Sequence, residues 1–307
     1  MKKYSYLILA FLFYGCANAQ DLDAFEYNPE WLAKIEALVP IDTVSRYFED
    51  REILVFSLHT GYEHWTIPHT EAVISSLASK SIGYTVTTSK DIYQFEKDSL
   101  AKYDVVVLNN TCSNFDTRNM FYDKLQDDTS NTDRHRLEKS IEMEANLLNY
   151  VRNGGGLVVL HGGIVMQNKS SAFGKMVGGT FEYHPKQQNF EVKLVDKNHP
   201  MVKGFDGVGF DHIDEPYIFK NAYFDYNFRP LLYMETNHLE GLQKITEDNI
   251  KYIAWIKKYG NGRVFYSSPS HNAQSFENPK LLQFLKNGLL YTAGDLKCDD
   301  SPIEINK

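Results

Sequence analysis

The sequence predicts an α/β protein built on a parallel sheet, and three features of the 307-residue chain carry that expectation. Near-continuous apolar runs at 52–58, 104–109 and 157–160 suit strands covered on both faces, where polar and apolar residues need not alternate. Stretches with apolar residues at helical intervals lie between them. Strands that alternate with helices join as parallel neighbours through crossover connections.

Residues 1–19 read as an export signal, because Lys2 and Lys3 precede a short apolar run at 7–13 and Ala17-Asn18-Ala19 supplies a small-residue cleavage pattern. Cleavage removes both lysines and takes the formal charge from −8 to −10. A competing reading lipidates Cys16, but Phe13 and Tyr14 are large where a lipoprotein signal takes small or aliphatic side chains. The expected product is a periplasmic protein. Residues 20–50 follow as an N-terminal helix and linker, with Trp31, Ile35 and Leu38 at helical spacing to pack against the main domain.

The main domain is placed at 51–296. Its first strand, 52–58, leads to a helix from about Ile67 whose stripe includes Val73, Ile74 and Leu77, and Gly83 stands where a left-handed closing residue is usual. Strands at 84–88 and 104–109 come next. Residues 110–136 are polar and aperiodic, and predict an inserted loop that lends residues to function. Leu137, Ile141, Ala145, Leu148 and Val151 predict a long helix, stopped by Asn153-Gly154-Gly155-Gly156 before the strand at 157–160. Shorter strands are expected near 190–195, 231–234, 253–256 and 264–267. A closing helix starts at Asn278-Pro279, with Leu281, Leu282, Leu285 and Leu289 as its apolar stripe, and 297–307 form a tail.

Composition removes several classes. Thirty-two basic against forty acidic side chains repel a polyanion, so nucleic acid is not an expected partner. No run approaches the ~20 apolar residues of a spanning helix. Cys112 and Cys298, the cysteines beyond the signal, make no disulfide framework. Gly154-Gly155-Gly156 precedes its strand instead of linking strand to helix, so it is no phosphate cradle, and no Gly-x-Ser-x-Gly elbow marks a serine hydrolase. Cys112 itself reads as a small buried thiol rather than a nucleophile.

Histidines at strand ends carry the chemistry. His59 and His64 follow the first strand, His161 the fourth, His271 the last, and His184 sits in Phe181-Glu182-Tyr183-His184-Pro185. Each alone has a plain structural explanation, a hydrogen bond to a backbone carbonyl. Together they gain weight, since a parallel sheet gathers the loops after its strands at one edge. Asp214 and Glu215 add carboxylates, either as site groups or as a solvated turn before Pro216. Imidazole and carboxylate are ordinary ligands of zinc and related divalent metals, and neutral histidine also serves as a base. His64, His161, His184 and His271 are the candidate metal ligands, although no His-Glu-x-x-His element enforces coordination. Tyr62, Trp65, Tyr183, Tyr217 and Phe276 lie near this set, where rings stack on sugar faces or fill core.

Six motifs in order complete the reading: Gly61-Tyr62-Glu63-His64, Gly155-Gly156-Leu157-Val158-Val159-Leu160-His161-Gly162, Gly178-Gly179-Thr180-Phe181-Glu182-Tyr183-His184-Pro185, Asn198-His199-Pro200, Asp214-Glu215-Pro216-Tyr217 and Gly260-Asn261-Gly262-Arg263-Val264-Phe265-Tyr266. From Glu52 to Gly294 the chain thereby resembles the ThuA-like, trehalose-utilisation proteins. Two positions depart from the family pattern: Glu63, where a basic residue is frequent, and Ser268-Pro269-Ser270, where Leu-Gly often precedes the histidine. The resemblance implies a flavodoxin-like parallel sheet with helices on both faces, related to class I glutamine amidotransferases. His161 then stands where those enzymes carry their cysteine, and imidazole cannot form the thioester, so amidotransferase activity is not expected. It also implies carbohydrate catabolism, in several bacteria beside oxidoreductases that make 3-keto sugars. The expected ligand is a carbohydrate or keto-sugar, with or without a divalent metal such as zinc. His161 is the expected base, with His64, His271 and Glu215 as further catalytic groups and Tyr62, His184, Asp214 and Tyr217 as substrate contacts. A non-catalytic sugar-binding protein of the same fold is the alternative, and glycoside hydrolysis by Asp214 and Glu215, adjacent in sequence and therefore poorly opposed, ranks behind both.

Overall fold

The computed structural model describes residues 22–41, 50–244 and 248–303; the segment expected to be an export signal, with Cys16, lies outside the described residues. The chain opens with α1 (Pro29–Leu38), β1 (Glu52–Phe56), α2 (Ile67–Ser76), β2 (Thr85–Ser89), the single turn α3 (Lys97–Leu100) and β3 (Val105–Asn109). It continues through α4 (Met120–Leu125), α5 (Asp133–Arg152), β4 (Gly156–Leu160), α6 (Ser171–Val177), β5 (Thr180–Tyr183), β6 (Gln188–Leu194), β7 (Phe210–Asp214) and β8 (Ile218–Lys220). β9 (Arg229–Glu235), β10 (Ile250–Tyr259), β11 (Gly262–Ser267) and α7 (Pro279–Ala293) close it.

Five strands pair in parallel in the order β2-β1-β3-β4-β11, which is the flavodoxin-like order with its switch point between β1 and β3. The expected parallel sheet is therefore present, and it is longer than expected. β10, β9, β6 and β7 extend it antiparallel beyond β11, giving nine strands, while β5 and β8 form a separate ribbon. Alternate residues of β1 serve opposite cores. Ile53 and Val55 pack with α1, α2 and α7, and Leu54 and Phe56 pack with α4, α5 and α6, so helices cover both faces.

Local chemistry explains the helix ends. Asn28 caps α1 by accepting from the Trp31 amide, Asn278 caps α7 by accepting from the Lys280 amide, and proline opens both helices. α2 runs on through a π-helical turn, Leu77–Ile82, and stops at Gly83, whose φ of +92° needs a residue without Cβ strain. Trp31 is buried edge-on to His69 at 4.8 Å, and Phe25 lies 5.4 Å from Trp65, so the N-terminal segment packs on the helix that follows the His64 loop.

Two expectations need correction. Residues 110–136 are not all loop: Asn119 caps α4, and α5 starts at Asp133, where Thr132 accepts from the His135 amide. The stripe assigned to α5 is also displaced. Leu137 and Ile141 are 47% and 58% exposed; Val151 is buried as expected, but it is joined by Ser140, Met143 and Leu147 rather than by the rest of the expected stripe. The buried face begins with a serine, fixed by a hydrogen bond from Asn119 at 3.1 Å, and a search for apolar spacing cannot recognise it. No helix among the described residues is long and apolar enough to cross a membrane.

Candidate metal centre

The loops after β1, β4 and β11 do meet. His64, His161 and His271 approach within ring-centroid distances of 5.0–5.3 Å, and Glu215, just beyond β7, joins them. One ligand atom from each of the four lies within 4.8 Å of the others. Three of these atoms form an equilateral triangle: His161 Nε2, His271 Nδ1 and Glu215 Oε2 are each 3.2 Å from the other two. A tetrahedral ion with ligands at ~2.0–2.1 Å would have ligand–ligand edges of about 3.3 Å, so the triangle has the size of one coordination face.

The backbone sets this geometry. His161 occupies φ +44°, at the sharp turn where β4 passes into a short 3-10 segment, and its Nδ1 donates to the Ser268 carbonyl at 2.9 Å. A carbonyl only accepts, so in the neutral imidazole the lone pair belongs to Nε2, which faces the centre. The next residue must be small. A Cβ on Gly162 would stand 2.7 Å from Cys112 Sγ and 2.8 Å from His64 Cε1. Gly162→Ala is therefore expected to displace His64 and lower zinc affinity about 10–100-fold, as losses of orienting contacts do. Competitive zinc titration checks this, with circular dichroism showing that the fold persists.

Charge follows the same arrangement. Burial raises the Glu215 carboxyl, yet the imidazoles of His161 and His271, each 3.2 Å from its Oε2, outweigh it and hold the group well below the usual carboxylate range. Burial lowers His271, and Glu215 more than compensates, so its affinity for a proton is raised. His64 is driven far down by burial and the neighbouring imidazoles, and keeps a lone pair at neutral pH. Cys112, 3.8 Å from His64 Nδ1, is pushed up to about 12 by burial and stays a thiol, as its reading as a buried residue expects.

The remaining expected site residues separate. His184 is not in the four-membered group but at the rim, its Nε2 3.6 Å from Glu215 Oε2 and its ring stacked on Tyr217 at 5.5 Å. Tyr217 lies under the site, 4.2 Å from His161, and Tyr62 stands edge-on over His64 at 4.8 Å. Asp214 is 1% exposed and has no free face: its Oδ2 accepts from His212 Nε2 at 2.7 Å and from the Ser270 and His271 amides, and its Oδ1 accepts from the Glu215 amide. In this structure it holds the two loops together rather than facing a ligand. His59 pairs with Glu63 outside the cluster. Trp65 and Phe276 pack towards the N-terminal segment instead of the site, and His199 bonds the Asp299 carbonyl.

A cleft of about 490 Å³ opens above the centre, lined by Tyr62, His64, His184, Glu215 and Tyr217 among others. Sequence reading did not single out Phe115, Arg118, Val165, Phe181 or Glu182, which complete its wall. The first two come from the aperiodic segment after β3, where only its position beside the switch point gave a signal.

Fold and centre together define an α/β protein with a strand-edge cleft that ends on three imidazoles and a carboxylate. The profile of the family described as trehalose utilisation, ThuA, matches residues 52–292, and the chain belongs to that family. Among solved structures it is similar to a ThuA-like protein of Bacteroides uniformis, at 18% identity and a TM-score of 0.57 over 81% of this chain and 94% of that one. A ThuA-like protein of Parabacteroides merdae is similar at 18% identity and 0.53, over 83% and 98%. A cytoplasmic protein of Salmonella typhimurium follows at 14% and 0.50, over 79% and 98%. At these identities the likeness is one of fold. No curated protein matches in sequence.

Proposed function

We propose that the chain is an exported ThuA protein of carbohydrate catabolism that acts as a lyase or hydrolase on 3-keto glycosides at a divalent-metal centre. The observation that supports this reading is the triangle of His161 Nε2, His271 Nδ1 and Glu215 Oε2 at the floor of the cleft, with His64 beside it. These four residues fit a divalent ion such as zinc, three borderline nitrogen donors and one oxygen being a common set. Such an ion supplies a Lewis acid for a carbonyl oxygen.

The protein's own groups account for the rest. The C2 proton of a 3-keto glycoside is acidified by the adjacent ketone. A base at the rim takes it, the C–H electron pair moves into the enolate, and collapse of the enolate expels the C1 substituent as an alcohol once an acid protonates its oxygen. His161, the base expected from the sequence, has both nitrogens engaged at the floor and suits the anchoring role better. His184 suits the base: its Nδ1 donates to the Pro185 carbonyl at 2.8 Å, which leaves the Nε2 lone pair turned into the cleft. Tyr62, half exposed at the rim, supplies a ring face on which a sugar stacks, whereas Tyr217, expected as a substrate contact, is buried with its ring against His161 and His184 and supports those imidazoles instead.

The test incubates metal-analysed protein with 3-keto-trehalose and with trehalose. Release of glucose from the keto sugar alone is the expected outcome; no turnover of either sugar rejects the reading. A second reading is a sugar-binding protein of the same fold without catalysis, for which the same cleft and its exposed Tyr62 ring would serve. Tight sugar binding without product and without metal would favour it.

A further inference from the structure

The wall of the cleft contributed by the segment after β3 contains one cation, Arg118, whose surroundings are unusual for an arginine of an acidic protein. Its backbone lies at φ +52°, a left-handed conformation that is uncommon outside glycine and that collects at functional sites. The amide of Arg118 closes a turn onto the Asn114 carbonyl, one guanidinium NH group donates to the Ser113 carbonyl at 3.2 Å, and the guanidinium lies 4.2 Å over the Phe115 ring. The planar head is thus fixed from two sides, with donors to spare.

No carboxylate among the described residues comes within ion-pair distance of it. The nearby acids are committed elsewhere: Asp123 accepts from Thr60, Thr117 and the Asn114 amide, Glu182 pairs with Lys244, and Glu215 belongs to the imidazoles. Burial depresses the proton affinity of the guanidinium and outweighs the attraction of Asp123, which acts from beyond ion-pair distance, so the cation is partly stripped of water without a carboxylate bound to it. An arginine held in this way matches the planar oxygens of a carboxylate or phosphate.

We infer that, within the proposed class of glycosides, the cleft prefers a sugar that also carries an anionic group, whose carboxylate or phosphate docks on Arg118 while the ring lies over the histidine–carboxylate centre, neutral glycosides being accepted more weakly. The inference deepens the proposed function and rests on its placing of the sugar. The two still fail separately, because this one is read by equilibrium binding and the other by turnover. Metal-loaded full-length protein is titrated calorimetrically with glucose, glucuronate and glucose 6-phosphate, alongside Arg118→Gln and Arg118→Lys. Wild type is expected to prefer glucuronate, glucose 6-phosphate or both over glucose by about tenfold or more, the size of a charge-assisted pair; which of them leads separates a carboxylate from a phosphate ligand. The preference should collapse to within about twofold in Arg118→Gln and survive in part in Arg118→Lys, with metal content unchanged in both. Retention of the preference in Arg118→Gln would assign it to the metal and overturn the inference. Equal affinity of wild type for all three sugars, or no binding of any at millimolar concentration, would overturn it as well.

Discussion

Replacing His161 is expected to strip the centre of its metal. This imidazole contributes one corner of the 3.2 Å triangle and is fixed from behind by the Ser268 carbonyl, so it is held in place as a ligand before any ion arrives. Loss of a contact that only orients a ligand costs about 10–100-fold in affinity, and loss of the ligand itself should exceed that, on the order of 1000-fold. His161→Asn is the better variant, because asparagine tolerates the left-handed backbone at φ +44° whereas alanine adds about 1 kcal/mol of strain. Bound zinc after dialysis should fall from near stoichiometric to background, and turnover of a 3-keto glycoside should disappear with it. Retention of zinc with parental affinity in His161→Asn would remove His161 from the ligand set and leave the proposed chemistry without its floor.

The residues behind that prediction were legible for a definite reason. β1, β3 and β4 are buried on both faces, so they stand out as apolar runs, and a parallel sheet fixes where their ends go. His64 and His161 therefore declare their neighbourhood from sequence alone. The antiparallel half is harder to read. β7, Phe-Asp-His-Ile-Asp, shows no apolar alternation and buries its polar residues His212 and Asp214 instead, and β5 and β8 are too short to show a period. Glu215 was visible only as one acid of an adjacent pair, and nothing local said which of the two would reach the histidines. The wall built by Phe115 and Arg118 left no periodic trace at all, since positive φ and a side chain placed by a turn have no counterpart in spacing.

The adjacent acids divide their labour so sharply that they make the second large prediction. Asp214 ends β7 with four hydrogen bonds from different parts of the chain: the His212 ring, the amides of Ser270 and His271, and the amide of Glu215. Burial alone would raise its carboxyl, but His212 and the site imidazoles hold it below the usual range, so it is a buried anion whose partners all depend on its charge. Asp214→Ala leaves those donors facing one another in a dry space. Removing one partner from a buried charged set costs ~3–5 kcal/mol, which for a domain of this size corresponds to a fall in Tm of roughly 10 °C. Thermal and urea unfolding measure the stability loss. The more telling readout is zinc affinity, because the same carboxylate sets the backbone that presents His271 and Glu215, two corners of the triangle. Asp214 never faces the cleft, yet its loss should weaken metal binding in proportion to the freedom given to those two ligands. A stability change under about 1 kcal/mol together with unchanged zinc affinity would show that the loops after β7 and β11 hold their positions without it, and their geometry would then need another cause.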